Sequence, residues 1–186
     1  MANGKNPDWP ERLPRVSLGF FPTPLHRLDR LSRQLGYEIY MKRDDLAGPI
    51  PYGGNKIRIL EFLLADAMAQ GCDTVITYGA VQSNHAMETV AAARKCGLTP
   101  IVYLFGPVGA EDDLRGNLLL DALLDGEIHI LPQKGEETFF QVADYLRSLA
   151  FQRTRELEQE GHRCYEIPPG APPRLALWAI CWGTWR

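Results

Sequence analysis

The chain has 186 residues, 45% of them hydrophobic and 23% charged, enough for one ordinary globular domain or one and a half small ones. With 20 basic and 23 acidic residues the formal charge is -3, so no basic field exists to attract nucleic acid or acidic lipid. Four cysteines (Cys72, Cys96, Cys164, Cys181) stand far apart without a CxxC pair, which reads as reduced thiols and not as a zinc site or disulfide frame. The first fifteen residues lack the apolar run of a signal peptide, and no stretch approaches the roughly 18 apolar residues of a membrane span. A soluble cytoplasmic protein, with neither nucleic acid nor membrane as partner, is the expectation.

An irregular leader gives way at residues 38–42 (EIYMK) to a short β-rich run that ends in Arg43-Asp44-Asp45. Residues 48–54, with two prolines and three glycines, must be loop. Asn55 is placed to cap a helix from 56 to about 70, with Ile57, Leu60, Leu64 and Met68 on one face and Gly71 ending it. Residues 74–78 (TVITY) read as a buried strand, followed by a turn through Gly79. Ser83 stands as N-cap of a helix to Lys95, closed by Gly97, with Ala86, Val90 and Ala93 turned inward so that it lies close to a sheet. Then come a strand at 100–105, a helix at 116–124 and a strand at 127–131. A long helix at 136–160 turns Phe139, Ala143, Leu146, Ala150 and Leu157 inward, and a strand at 163–167 closes the series. Strands alternating with helices in this way build parallel βαβ units, so the fold class is α/β, a three-layer αβα arrangement around a parallel sheet.

Residues 168–186 break the pattern, with four prolines and three of the four tryptophans (Trp178, Trp182, Trp185). A one-base shift turns both Trp178-Ala179 and Trp182-Gly183 into glycine triplets, and from Leu175 the shifted frame suits a further α/β unit. The tail from about residue 169 is therefore expected to be frameshifted and the chain truncated.

Two segments carry chemistry. In Tyr52-Gly53-Gly54-Asn55-Lys56-Ile57-Arg58 a lysine opens a helix after a double glycine. The positive end of the helix dipole opposes an ammonium there and favours the neutral amine, the form that condenses with an aldehyde cofactor. The glycines let the backbone approach a planar ring. A surface lysine after a flexible loop has the same pattern. In Gly79-Ala80-Val81-Gln82-Ser83-Asn84-His85 a helix opens just past a buried parallel strand, at the sheet edge where open α/β folds bind ligands. Free N–H groups at such a helix start suit a carboxylate or phosphate, and the Asn84 amide suits a ring oxygen. Simple capping by Ser83 and Asn84 is the plainer reading.

Five motifs fall in one order and spacing: Phe21-Pro22-Thr23-Pro24-Leu25, Lys42-Arg43-Asp44-Asp45, Gly53-Gly54-Asn55-Lys56, Leu60-Glu61-Phe62 and Gln82-Ser83-Asn84-His85. Over residues 16–168 they resemble the N-terminal half of the D-cysteine desulfhydrase and 1-aminocyclopropane-1-carboxylate deaminase family of pyridoxal-phosphate (PLP) enzymes. The resemblance implies the tryptophan synthase β-like fold. It divides the chain into 1–55, a leader and first part of a large PLP domain, 56–161, a small α/β domain, and 162–186, a return to the large domain. It implies PLP as cofactor, with Lys56 as covalent anchor and catalytic lysine and Asn84 facing the ring oxygen. Ser83, also a catalytic candidate, would receive the substrate carboxylate together with Asn84, His85 and the neighbouring N–H groups. No metal is implied.

The implied reaction is β-elimination on a small amino-acid substrate, D-cysteine giving pyruvate, sulfide and ammonia, by a homodimer in full-length form. His85, where a glutamine would follow Ser83-Asn84 in the cyclopropane deaminases, is more similar to the desulfhydrase branch. The cyclopropane deaminase reaction is the alternative, and a D-amino-acid dehydratase comes third. From another class come an inactive α/β fragment or a nucleotide binder, though no GxGxxG or GxxxxGK[ST] follows any strand. The sequence departs from its relatives at Ile59, where a lysine commonly helps neutralise the phosphate. The family's phosphate loop, pyridine-nitrogen partner and substrate-side tyrosines fall beyond residue 186.

Overall fold

Residues Thr74–Tyr78 are all shielded from solvent, as a parallel strand covered on both faces must be. The structure, a computed structural model, describes residues 13–48, 54–135 and 137–169. In chain order its elements are β1 (Leu25–Arg27), α1 (Asp29–Leu35), β2 (Tyr40–Lys42), α2 (Lys56–Ala69), β3 (Thr74–Ala80) and α3 (Asn84–Lys95). β4 (Thr99–Gly106), α4 (Gly116–Leu123), β5 (Glu127–Pro132), α5 (Phe139–Gln159) and β6 (Cys164–Ile167) follow. Four parallel strands form one sheet in the order β5-β4-β3-β6, while β1 and β2 make a separate antiparallel pair.

Alternate residues of the central strands feed two layers. Ile76, Tyr78, Ile101, Tyr103 and Phe105 pack on Val142, Leu146, Ala150 and Leu157 of α5. On the other face Val102 and Leu104 meet Ala86 and Val90 of α3 and Leu118 of α4, and Val75 and Ile167 meet Ile57, Leu60 and Leu64 of α2. The expected αβα layering is therefore present.

Several local expectations change. α2 is buried almost all round, Arg58 and Glu61 included, while Met68, expected on the inner face, is 46% exposed. The cause is a second covering: the segment from Val16 to Phe21 lies on the helix, and Glu61 accepts N–H bonds from Leu18 at 2.9 Å and Gly19 at 3.1 Å. β3 continues through Gly79 and Ala80 instead of turning at Gly79. α5 begins at Phe139, not 136, because Thr138 and Gln141 form a reciprocal capping box, and Val142 takes the inward place ahead of the half-buried Ala143. α1 interrupts the supposedly irregular leader and ends on Gly36, whose φ of 74° closes it in the left-handed region.

β6 pairs with β3 in register Thr74 to Cys164 through Thr77 to Ile167, so residues 164–167 complete the sheet that β3, β4 and β5 form. The tail from about 169, expected to be frameshifted, with Trp178, Trp182, Trp185 and Cys181, lies outside the described residues apart from Pro169. So do most of the 48–54 loop and the Phe139 side chain. Among the described residues no helix is long and apolar enough to cross a membrane, and no group of three or more His, Cys, Asp or Glu could hold a metal ion.

Candidate active site

Strand order sets the location. From β3 the chain moves to one side for β4 and later crosses to the other side for β6, so the order reverses between β3 and β6. In open α/β sheets the crevice outside the carboxyl ends of such strands is the ligand site. α3 begins there because it follows β3, and α2 begins there because it runs back toward the start of β3. One bond records the meeting: the Ile57 N–H, in the first turn of α2, donates to Glu88 Oε2 of α3 at 3.1 Å. Lys56 and the segment Ser83–His85 are thus brought to one edge of the sheet.

Asn55 occupies the N-cap position of α2, but its side chain caps nothing. Glu88 substitutes for it. This carboxyl is 1% exposed; burial pushes its pKa up to about 7, against the pull of the Ile57 N–H, the Lys56 charge and the Gly54 N–H. Gly54 is required beside it, since a Cβ there would stand 2.8 Å from Glu88 Oε1. The half-buried Lys56 side chain has no hydrogen bond or ion pair among the described residues.

The start of α3 holds Ser83, Asn84 and His85 in three different ways. Ser83 Oγ accepts the Ala86 N–H at 3.2 Å, so it is a true cap, yet its own hydroxyl hydrogen remains free to donate. A Cβ at Gly79 would stand 2.9 Å from Ser83 Oγ, so only glycine lets this turn fold over the strand end. The N–H groups of Asn84 and His85, first in the helix, have no intrahelical acceptor. Asn84 is exposed, and its Oδ1 accepts from Asn117 Nδ2 at 2.8 Å. Asn117 Nδ2 also donates to the Gln82 carbonyl at 2.9 Å, which fixes it as nitrogen, so the Asn84 nitrogen is left for another acceptor.

His85 does not lie on the helix surface. It is 9% exposed, with Nε2 3.2 Å from Thr77 Oγ1, and that hydroxyl donates to the Ile167 carbonyl at 2.7 Å. Because the Thr77 hydrogen is committed, His85 Nε2 must be the donor in their bond. Burial pushes the imidazole down to about 4, the Lys56 charge adds to this, and the Ile167 carbonyl opposes it. A neutral ring therefore ties α3 to β3 and β6. With its ring held by Thr77, His85 offers a carboxylate its backbone N–H.

Behind Lys56 two of the sequence motifs meet. Arg58, 7% exposed, donates to Asp44 Oδ1 at 2.7 Å, to Asp44 Oδ2 at 2.9 Å and to Thr23 Oγ1 at 3.0 Å, and lies over the Phe21 ring. The Arg58 hydrogen bonds hold Asp44 below the usual carboxylate range. Sequence reasoning quoted Thr23, Asp44 and Arg58 but not their union, and it missed Glu88, Thr77 and Asn117. A signal for Glu88 existed: it is the one charged residue in the otherwise apolar or neutral run 86–93 of that helix.

Known proteins bear on this geometry. A family model described as "Pyridoxal-phosphate dependent enzyme" matches residues 16–184. This chain belongs to that family. It is 47% identical over 159 residues to a protein of Pyrococcus abyssi with the provisional name 1-aminocyclopropane-1-carboxylate deaminase, covering 86% of this chain and 44% of that one. It is 47% identical over 167 residues to the D-cysteine desulfhydrase of Salmonella paratyphi C, covering 88% and 48%. A crystal structure of an "ACC deaminase homologue" superimposes with a TM-score of 0.79 at 40% identity, covering 94% of this chain and 50% of that one. The chain spans about half the length of the curated relatives it matches. The fold is thus that of the tryptophan synthase β-like PLP enzymes, and PLP is the family's cofactor.

The residues present fit one side of that cofactor. They offer an amine without a competing partner among the described residues, an oriented amide donor and a helix start with open N–H groups. Ile59 is 6% exposed and packs with Leu18 and Leu63, so it offers nothing to a phosphate.

Proposed function

We propose that the full-length protein, a homodimer of the cytoplasm, is a lyase that eliminates the β-substituent of a small amino acid, with D-cysteine converted by water to pyruvate, sulfide and ammonia. The observation that carries this reading is the convergence of Lys56 and the open α3 start at the switch point between β3 and β6. The likeness to D-cysteine desulfhydrases over 88% of the chain supports the substrate.

When bound, PLP supplies an electron sink for negative charge at the substrate Cα. Lys56 would anchor its aldehyde and would serve as the base for the Cα proton. Asn117 orients the Asn84 amide, whose nitrogen would hold the ring oxygen. The Ser83 hydroxyl and the N–H groups of Asn84 and His85 receive the substrate carboxylate, helped by the positive end of α3. His85, neutral and fixed to Thr77, keeps that helix start in place.

The test is sulfide and pyruvate release from D-cysteine by the full-length enzyme, beside ammonia and 2-oxobutanoate release from 1-aminocyclopropane-1-carboxylate. Turnover of D-cysteine that disappears in Lys56→Ala is the expected result. Turnover of the cyclopropane substrate alone would replace the lyase assignment with the deaminase.

A further inference from the structure

We propose that Glu88 is the positioning residue for Lys56: its buried carboxyl holds the first turn of α2 from the neighbouring helix and so fixes the backbone from which the lysine projects. This rests on Lys56 being the cofactor lysine. The geometry has three parts. α2 opens without a side-chain cap of its own, because Asn55 makes no such bond. Glu88 Oε2 takes the Ile57 N–H from 31 residues away, at 3.1 Å. Gly54 leaves just enough room for Oε1, which a Cβ there would meet at 2.8 Å. A helix start held by a partner helix keeps its orientation relative to α3, where the substrate-side donors lie; a local Asn55 cap would hold only α2 itself.

The clamp also titrates. Among the charged and titratable groups on the two helices (Lys56, Arg58, Glu61 and Asp66 on α2, His85, Arg94 and Lys95 on α3), only Lys56 acts on Glu88, and burial outweighs it, leaving the carboxyl at about 7. An ionised carboxylate is the stronger acceptor for the Ile57 N–H. The α2 start therefore tightens as pH rises through about 7 and loosens below it.

The experiment uses the full chain, wild type, Glu88→Gln and Glu88→Ala. Amide hydrogen exchange of the first turn of α2, expressed as protection factors, is followed from pH 6 to pH 8, and PLP capture is followed by borohydride fixation and peptide mapping. Wild-type protection at Ile57 should rise about threefold or more across that range. Glu88→Gln, which keeps an acceptor of the same shape but no titrating charge, should show flat protection and label Lys56 within about twofold of wild type. Glu88→Ala should label Lys56 at least fivefold more slowly. Flat protection in the wild type, a rise of the same size in Glu88→Gln, or unchanged labelling in a folded Glu88→Ala would overturn the proposal while leaving Lys56 as cofactor lysine. Wild-type PLP on another lysine would instead overturn the lysine assignment and the proposal together.

Discussion

Replacing Asp121 by leucine removes a buried carboxyl from α4. Asp121 lies in α4 at 1% exposure, and neither carboxyl oxygen has a hydrogen-bond partner among the described residues. Burial alone pushes its pKa up to about 7, whereas in an unfolded chain it titrates near about 3.9. Below about pH 4 both states hold the proton and folding is not penalised. From about pH 4 to about pH 7 the unfolded state ionises while the folded state stays neutral, so stability falls with rising pH; above about pH 7 the loss is complete. A gap of about three units corresponds to about 4 kcal/mol in full, of which about 3 kcal/mol is lost between pH 5 and pH 8. Urea unfolding of the wild-type chain and Asp121→Leu at those two pH values isolates this contribution. Comparing the loss in each protein cancels the packing change made by leucine and the parallel contribution of Glu88. The wild type should lose about 3 kcal/mol more than the variant. A difference below about 0.5 kcal/mol would refute the reasoning, since it would mean that the ionised carboxylate finds water or a partner without cost.

Asp44→Ala leaves the buried Arg58 guanidinium without its carboxylate and should cost about 3–5 kcal/mol in urea unfolding at pH 7. Because the Asp44 pKa is lowered in the folded state, the wild-type advantage should be present above about pH 4 and fade as pH falls below it. Gly79→Ala sets a Cβ 2.9 Å from Ser83 Oγ; it should cost about 1–3 kcal/mol and lower amide-exchange protection at Ala86. Asn117→Ala should change unfolding stability by no more than about 1 kcal/mol, yet weaken retention of PLP on dialysis, because Asn84 loses its orientation. Unchanged retention would argue against Asn84 as the donor to the ring oxygen.

The parallel sheet was legible because a strand buried on both faces appears as a continuous apolar run, and TVITY and PIVYLF are such runs bounded by glycine or proline. Lys56 and Ser83 stood out because each opens a helix after glycine or strand, a local pattern that needs no tertiary information. The partners of those residues were hidden for the opposite reason. Glu88 reaches Ile57 across 31 residues and Asn117 reaches Asn84 across 33, so each pairing depends on which helices become neighbours. The same holds for His85: its exposure depends on β6 arriving beside β3, which places the Ile167 carbonyl under Thr77. The one-sided face assigned to α2 failed because the segment from Val16 to Phe21 covers the other side, and no helical period announces a covering loop.

The central claim is that Lys56, placed by α2 beside the open start of α3, is the lysine that takes the cofactor. Incubation of the chain with PLP, reduction with borohydride and mass-spectrometric mapping of the modified peptide tests this without requiring turnover. One dominant label on Lys56, absent from Lys56→Ala, is expected, with Lys42 and Lys95 modified no faster than other surface lysines. A dominant label on Lys42 or Lys95, or equal labelling of all lysines, would contradict it.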